Sequence, residues 1–266
     1  MPAHPAARAL VLLAVVSTPL FAQATLGPYA AADAKYRVVS VVKTSQNMMG
    51  QQMDFETSSN QRLSVSVAKA GAAFTLTMTI DSATVSTTSP EPAPDMSDAV
   101  GMKFVGDMAP DGKVGTSTVS DRSGAPSTSQ FASGFRSILP RLHLGATKGA
   151  TWADSTSFTR KQNDADVTTE TVVQYTLAGD TVVAGQRAWR IDGVSVSKVT
   201  GHGNRNGADY SISGEVKGTV TAVVSVAGVL LGESSEGDAN LTVAVDAAGI
   251  TIPIAQKTST KLEKLP

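Results

Sequence analysis

Alternating apolar and Ser/Thr residues, closely spaced turn signals and one stretch of helical spacing predict a mainly β fold. They point to a curved antiparallel sheet forming a half-open barrel with one short helix. The alternation is plain in Leu63, Val65 and Val67 with Ser64 and Ser66 between them, and in Phe74, Leu76, Met78 and Ile80 with Thr75, Thr77 and Thr79 between them. It returns in Leu241, Val243 and Val245 and again in Ile250, Ile252 and Ile254. Successive strand side chains point to opposite faces, so each run makes one apolar and one hydroxyl-rich face. Turn signals at Met49-Gly50, Ala70-Gly71, Pro110-Asp111-Gly112, Ala178-Gly179-Asp180, Gly201 to Gly207 and Ala247-Ala248-Gly249 leave gaps too short for parallel crossovers, so the strands pair as hairpins.

In chain order, residues 1–24 combine Arg8, the apolar run Ala9 to Val16, a break at Pro19 and Ala22-Gln23-Ala24. This is the pattern of a secretory signal peptide cleaved after Ala24, and it predicts a periplasmic or extracellular protein. A linker is expected over 25–34 and a single β domain over 35–266. Pro90, Pro92 and Pro94 mark an exposed loop, because proline cannot donate to a central ladder. Phe131, Phe135, Ile138 and Leu139 recur at helical spacing, with Ser129 as N-cap and Pro140 as stop. They predict a helix over 130–139, weakened at its centre by Gly134. The helix separates two segments, 35–129 and 145–266. Ile80 to Ser86 in the first echoes Ile191 to Ser197 in the second, which is either an internal duplication or the chance likeness of Ser/Thr/Val strands. Trp152 and Trp189 sit beside apolar strand positions, as structural anchors do.

The formal charge of −1, with Lys and Arg scattered, lacks the basic stripe that nucleic acid would need. With no cysteine, stability must come from buried area and strand pairing, and the absence of a Cys after the apolar run argues against a lipid-anchored lipoprotein. No later segment is apolar for long enough to form a transmembrane helix.

Catalytic motifs fail on context. Ser-x-x-Lys occurs at Ser40 to Lys43, Ser66 to Lys69 and Ser195 to Lys198, but in strand patterns, where positions three apart face opposite sides and the Lys cannot reach the Ser. Gly232-Glu233-Ser234-Ser235-Glu236 lacks the final glycine of a nucleophile elbow. His143 and His202 have no second ligand at metal spacing. Asn163-Asp164-Ala165-Asp166 opens like a calcium loop but reaches Thr169 and Tyr175 where glycine and glutamate are required. Asn240-Leu241-Thr242 is a glycosylation sequon inside a strand. No enzyme activity and no cofactor are expected.

Gly149-Ala150-Thr151-Trp152, followed by Tyr175-Thr176-Leu177-Ala178-Gly179 and by Gly185 to Ile191, resembles exported bacterial domains of unknown function. These are similar to the lipoprotein-localisation (LolA/LolB-like) open β-barrels. The resemblance covers mainly residues 145–264, and more loosely 36–119. It implies a curved sheet plugged by a short helix and able to hold acyl chains, with no residue role carried over. A continuous concave aliphatic face is expected along the strands, through Val173, Leu177, Leu241 and Val243. The expected ligand-binding residues are Phe131, Phe135, Ile138 and Leu139 on the helix and Phe74, Leu76, Met78 and Tyr175 on the sheet. The function expected is non-enzymatic binding of a lipid or other hydrophobic molecule in the cell envelope. The alternative is a structural or adhesive module that meets a protein or glycan; a hydrolase comes third.

Overall fold

The computed structural model describes residues 25–48, 50–119, 128–162, 165–205, 207–245 and 248–266. The expected signal peptide and residues 163–164 of the calcium-like loop lie outside the described residues. The alternating runs are parts of far longer strands. In chain order they are β1 (Ala32–Met48), β2 (Gln51–Ala70), β3 (Ala73–Thr87), β4 (Lys103–Met108), β5 (Val114–Val119), α1 (Thr128–Ser137), β6 (Thr151–Gln162), β7 (Ala165–Val183), β8 (Gln186–Arg205), β9 (Ala208–Ser225), β10 (Leu230–Val245) and β11 (Ile250–Lys264).

Every pairing is antiparallel, in one sheet of order β5-β4-β3-β2-β1-β11-β10-β9-β8-β7-β6. The segments before and after α1 are therefore joined into one surface by the β1–β11 ladder. The edge strands β5 and β6 do not pair with each other, and α1 packs against both. Because β4 pairs with β3 only over Phe74 to Thr79, the other half of β3 has β2 as its sole strand partner among the described residues. The half-barrel is thus closed by the helix at one end, here called proximal. At the distal end no strand pairing among the described residues joins its two edges. Inward-facing Gly193, Gly201, Gly203, Gly214 and Gly218 thin the wall of β8 and β9, where the sheet curls.

The core fills the proximal end, where Leu76, Ile80, Phe104, Phe135, Leu177 and Ile191 are all fully buried. Residues 25–31 are not a linker. Leu26 and Tyr29 are buried, and the segment is a strap tied to three neighbouring turns. Leu26 N–H donates to Ala146 at 2.9 Å, Tyr29 N–H to Pro110 at 3.0 Å, and Ala30 N–H to Gly228 at 2.9 Å. Gly228 has φ +80° and a Cβ there would collide with the Pro28 carbonyl, so the strap fits only over glycine.

Three further expectations are corrected. The helix runs Thr128–Ser137 and not 130–139, so Ser129 lies inside it; Leu139 precedes Pro140, whose ring disfavours helical geometry one residue earlier. Ala178-Gly179-Asp180 is a bulge within β7, where the register with β8 shifts between Leu177 and Gly179, and the turn comes at Ala184-Gly185. Gly201 to Arg205 continues β8, which places His202 on a strand.

The outward face is charged at mid-strand. Lys43 pairs with Glu56 at 3.8 Å and Lys217 with Glu215 at 2.9 Å, with Lys198, Glu236, Asp238 and Lys257 exposed beside them. A lipid-facing barrel carries an apolar band of about 25 Å on that side, and these strands carry ions there. No helix among the described residues is long and apolar enough to cross a membrane.

Candidate functional site

The eight side chains expected to bind a ligand are brought together by the fold. Phe131 and Phe135 of α1, Ile138 and Leu139 of the segment after it, Phe74, Leu76 and Met78 of β3 and Tyr175 of β7 belong to one buried cluster. They pack on one another. Phe135 is fully buried and stacks on Phe104 at 5.8 Å between ring centres. The void beneath Leu139, lined by Tyr29, Tyr36, Val65, Val67 and Leu230, holds about 20 Å³. That is room for one water and not for an acyl chain.

A larger cleft of about 420 Å³ lies beside the helix, between the β4–β5 turn and the start of β6. Its centre is Arg141, whose Nε donates to Asp111 at 3.1 Å and whose Nη1 donates to Asp154 at 3.1 Å. Trp152 Nε1 donates to the Arg141 carbonyl at 2.8 Å, and Trp152 is stacked between His143 and Tyr175. The carboxylates hold Arg141 above its ordinary range through hydrogen bonds, Asp154 first. With both acids and the cation mutually engaged, this cluster pins the edge strand β6 to the β4–β5 turn through the segment that follows the helix, and His143 lines the cleft beside it.

Beyond the plug, the inward positions of β10 follow the odd numbers, so the parity that turns Leu241 and Val243 inward also turns Glu233 inward. Glu233 stands in register with Leu262 of β11 and Ala222 of β9, both buried. Protein surrounds it, yet water in the lumen reaches part of it. Among the described residues no ion pair or hydrogen bond reaches its carboxylate, and burial pushes the carboxyl up to about 7. Tyr175, next in line on the wall, is raised above its ordinary value by burial and then by the Glu233 charge. Sequence reading passed over Glu233 as part of a failed elbow motif. The signal that finds it is its parity with Leu241, which places an acid on the apolar face.

Next along the lumen comes a hydroxyl belt. Ser40 and Thr260 share a hydrogen bond of 2.9 Å, Thr171 and Ser197 one of 2.8 Å, and Gln256 Nε2 donates to a buried Thr44 at 3.2 Å. The continuous aliphatic face expected from sequence is therefore interrupted. It resumes distally, where Met53 and Phe55 of β2, Leu241 and Val243 of β10 and Ile252 and Ile254 of β11 face inward. All six remain only half-buried. Across the trough, Ala165, Val167 and Val199 form a small second cluster, and Arg160 of the edge strand β6 points inward beside it. Its Nε is buried without a hydrogen-bond partner, and desolvation lowers its pKa. An inward charge of this kind protects an open sheet edge from pairing with another chain. Among the described residues no three His, Asp or Glu side chains converge as a metal site would require.

No protein-family model matches the chain. No curated protein matches it by sequence. Among solved structures, Neisserial surface protein A is similar at 6% identity and a TM-score of 0.24, over 88% of this chain and 99% of the other. Pseudomonas aeruginosa OccK2 (OpdF) is similar at 8% and 0.27, over 88% and 98%. DynF from the dynemicin biosynthesis pathway of Micromonospora chersina is similar at 8% and 0.23, over 98% and 92%. At these TM-scores none of the three lends its function to this chain.

Proposed function

We propose that the protein is a non-enzymatic binder of a lipid or other hydrophobic molecule in the cell envelope, and that the ligand lies in the distal trough and not under the helix. The observation that carries this reading is the half-buried state of Met53, Phe55, Leu241, Val243, Ile252 and Ile254 on the concave face of a sheet whose edges stay open beside them. A one-sided sheet buries its apolar face against another layer, and at the proximal end α1 and the strap provide that layer. Distally only the small cluster of Ala165, Val167 and Val199 packs against Leu241 and leaves it half-buried, and an apolar guest would cover the rest. The signal-peptide pattern of residues 1–24 supports the envelope setting. The incomplete barrel with one plugging helix fits the proposed kinship with LolA/LolB-like carriers.

The test is saturable binding of an apolar naphthylamine dye, measured for the wild type and for Phe55→Gln and Leu241→Gln. Each substitution is expected to weaken dye binding about tenfold while unfolding stays cooperative. Absence of saturable binding by the wild type would refute the reading.

A further inference from the structure

Glu233 is an enclosed acid with no hydrogen bond or ion pair among the described residues to give it a structural role. Two other carboxylates near the plug, Asp111 and Asp154, are both held by Arg141. Glu233 faces Leu262 and Ala222 across the ladders, and its electrostatic neighbours are the phenols Tyr29 and Tyr175, which bring no positive charge. Tyr29 is itself committed, donating to the Pro140 carbonyl at 2.8 Å. An ionised carboxylate in such a place loses solvation without compensation, so it calls for a counter-charge from outside the chain.

The chemistry of the surroundings narrows what that counter-charge is. A calcium or magnesium ion needs about six oxygen ligands, several of them anionic, and among the described residues no group of three His, Asp or Glu side chains forms here. An organic ammonium is satisfied by one carboxylate together with hydroxyl oxygens and an aromatic face. Ser235 and Thr260 stand on the next inward level, and Tyr175, stacked on Trp152 at 5.6 Å, supplies the aromatic wall. A chain leaving this point along the strands passes Val220, Val173 and Val42 and reaches Leu241 and Ile254 after roughly 26 Å.

We infer that Glu233 is the headgroup site of the half-barrel, selecting ligands that carry an ammonium group at one end of an aliphatic chain. This rests on the binding reading above and specifies its ligand class. The site lies at the floor of the lumen, between the helix plug and the hydroxyl belt, and the tail extends toward the distal trough.

The experiment is displacement of the naphthylamine dye at pH 8 by dodecylammonium and by 1-dodecanol, both below their aggregation limits. In the wild type dodecylammonium is expected to displace the dye at a concentration at least tenfold lower than dodecanol. In Glu233→Gln the two are expected to be equal, with dodecanol unchanged from the wild type. Equal potency in the wild type, or a tenfold preference that survives in Glu233→Gln, would overturn the inference while leaving the binding reading intact; failure of dodecanol to displace the dye would defeat the binding reading itself. A second measurement needs no substitution. The midpoint of the Glu233 carboxyl, followed by NMR in the wild type, should fall when dodecylammonium is added and stay put with dodecanol, and an unmoved midpoint with dodecylammonium also overturns the inference.

Discussion

Replacing Phe135 by Ala separates a helix that plugs the half-barrel from one that gates it. Phe135 is fully buried, stacks on Phe104 at 5.8 Å, and belongs to the cluster that contains Leu76, Met78 and Leu177. Removing the ring forfeits about 2.5 kcal/mol of transfer free energy. The neighbours come from separate strands held in long ladders, so they cannot close fully on the space. A residual void of about 50 Å³ at about 24 cal/mol per Å³ costs about 1.2 kcal/mol more, and the lost stacking on Phe104 about 1 kcal/mol. The expected destabilisation is about 4 to 5 kcal/mol, read as a lower urea midpoint at unchanged slope. Dye binding in the distal trough should persist below the unfolding transition with unchanged affinity, because the hydroxyl belt separates it from the helix. A loss below about 1 kcal/mol, or a changed dye affinity with stability intact, would refute the plug and make α1 a movable lid.

Two further outcomes test particular contacts. Glu233 has its carboxyl raised from its ordinary 4.5 to about 7 in the folded protein, so between those values the folded state binds more protons than the unfolded one. Its contribution to stability therefore falls as pH rises through that window and is flat above it. After allowance for water reaching the lumen, the difference is about 2 kcal/mol, and unfolding free energies at pH 4.5 and pH 8 should show this slope in the wild type and its loss in Glu233→Gln. An identical slope in both proteins would mean that the carboxylate is solvated as in water. In Gly193→Ala, the new methyl would stand 2.6 Å from Val220 Cγ1 and 3.0 Å from the Tyr175 ring, across a strongly curled wall. Denaturant unfolding should report a loss of about 1 to 3 kcal/mol, and an unchanged midpoint would show that Tyr175 swings aside freely.

Much of this architecture was legible in the sequence because strand periodicity is local. The alternation in Phe74 to Ile80 and in Leu241 to Ile254 reports which side of a pleated chain is dry, and that needs no knowledge of partners. The helix was visible for the same reason, through the spacing of Phe131, Phe135, Ile138 and Leu139, although Pro140 set its end two residues earlier than the apolar pattern suggested. The antiparallel class, the inward faces and the burial of the helix side chains were thus determined by residues a few positions apart.

What only the tertiary structure decided depends on residues far apart in the chain. Whether an inward apolar side chain is filled over or left open is set by what arrives from elsewhere. At Leu76 it is α1 and the strap carrying Tyr29, whereas at Leu241 it is only the small cluster of Ala165, Val167 and Val199, which leaves the side chain half-buried. Leu26 and Tyr29 looked like linker residues because their partners, Ala146, Pro110 and Pro140, are more than eighty positions away. Gly179 looked like a turn because a bulge and a turn ask the same freedom of the backbone, and only the β8 ladder distinguishes them. Glu233 carries the sharpest contrast. Its parity was in the sequence, but its lack of a counter-charge is a property of the space around it, and desolvation acts through all the surrounding atoms at once.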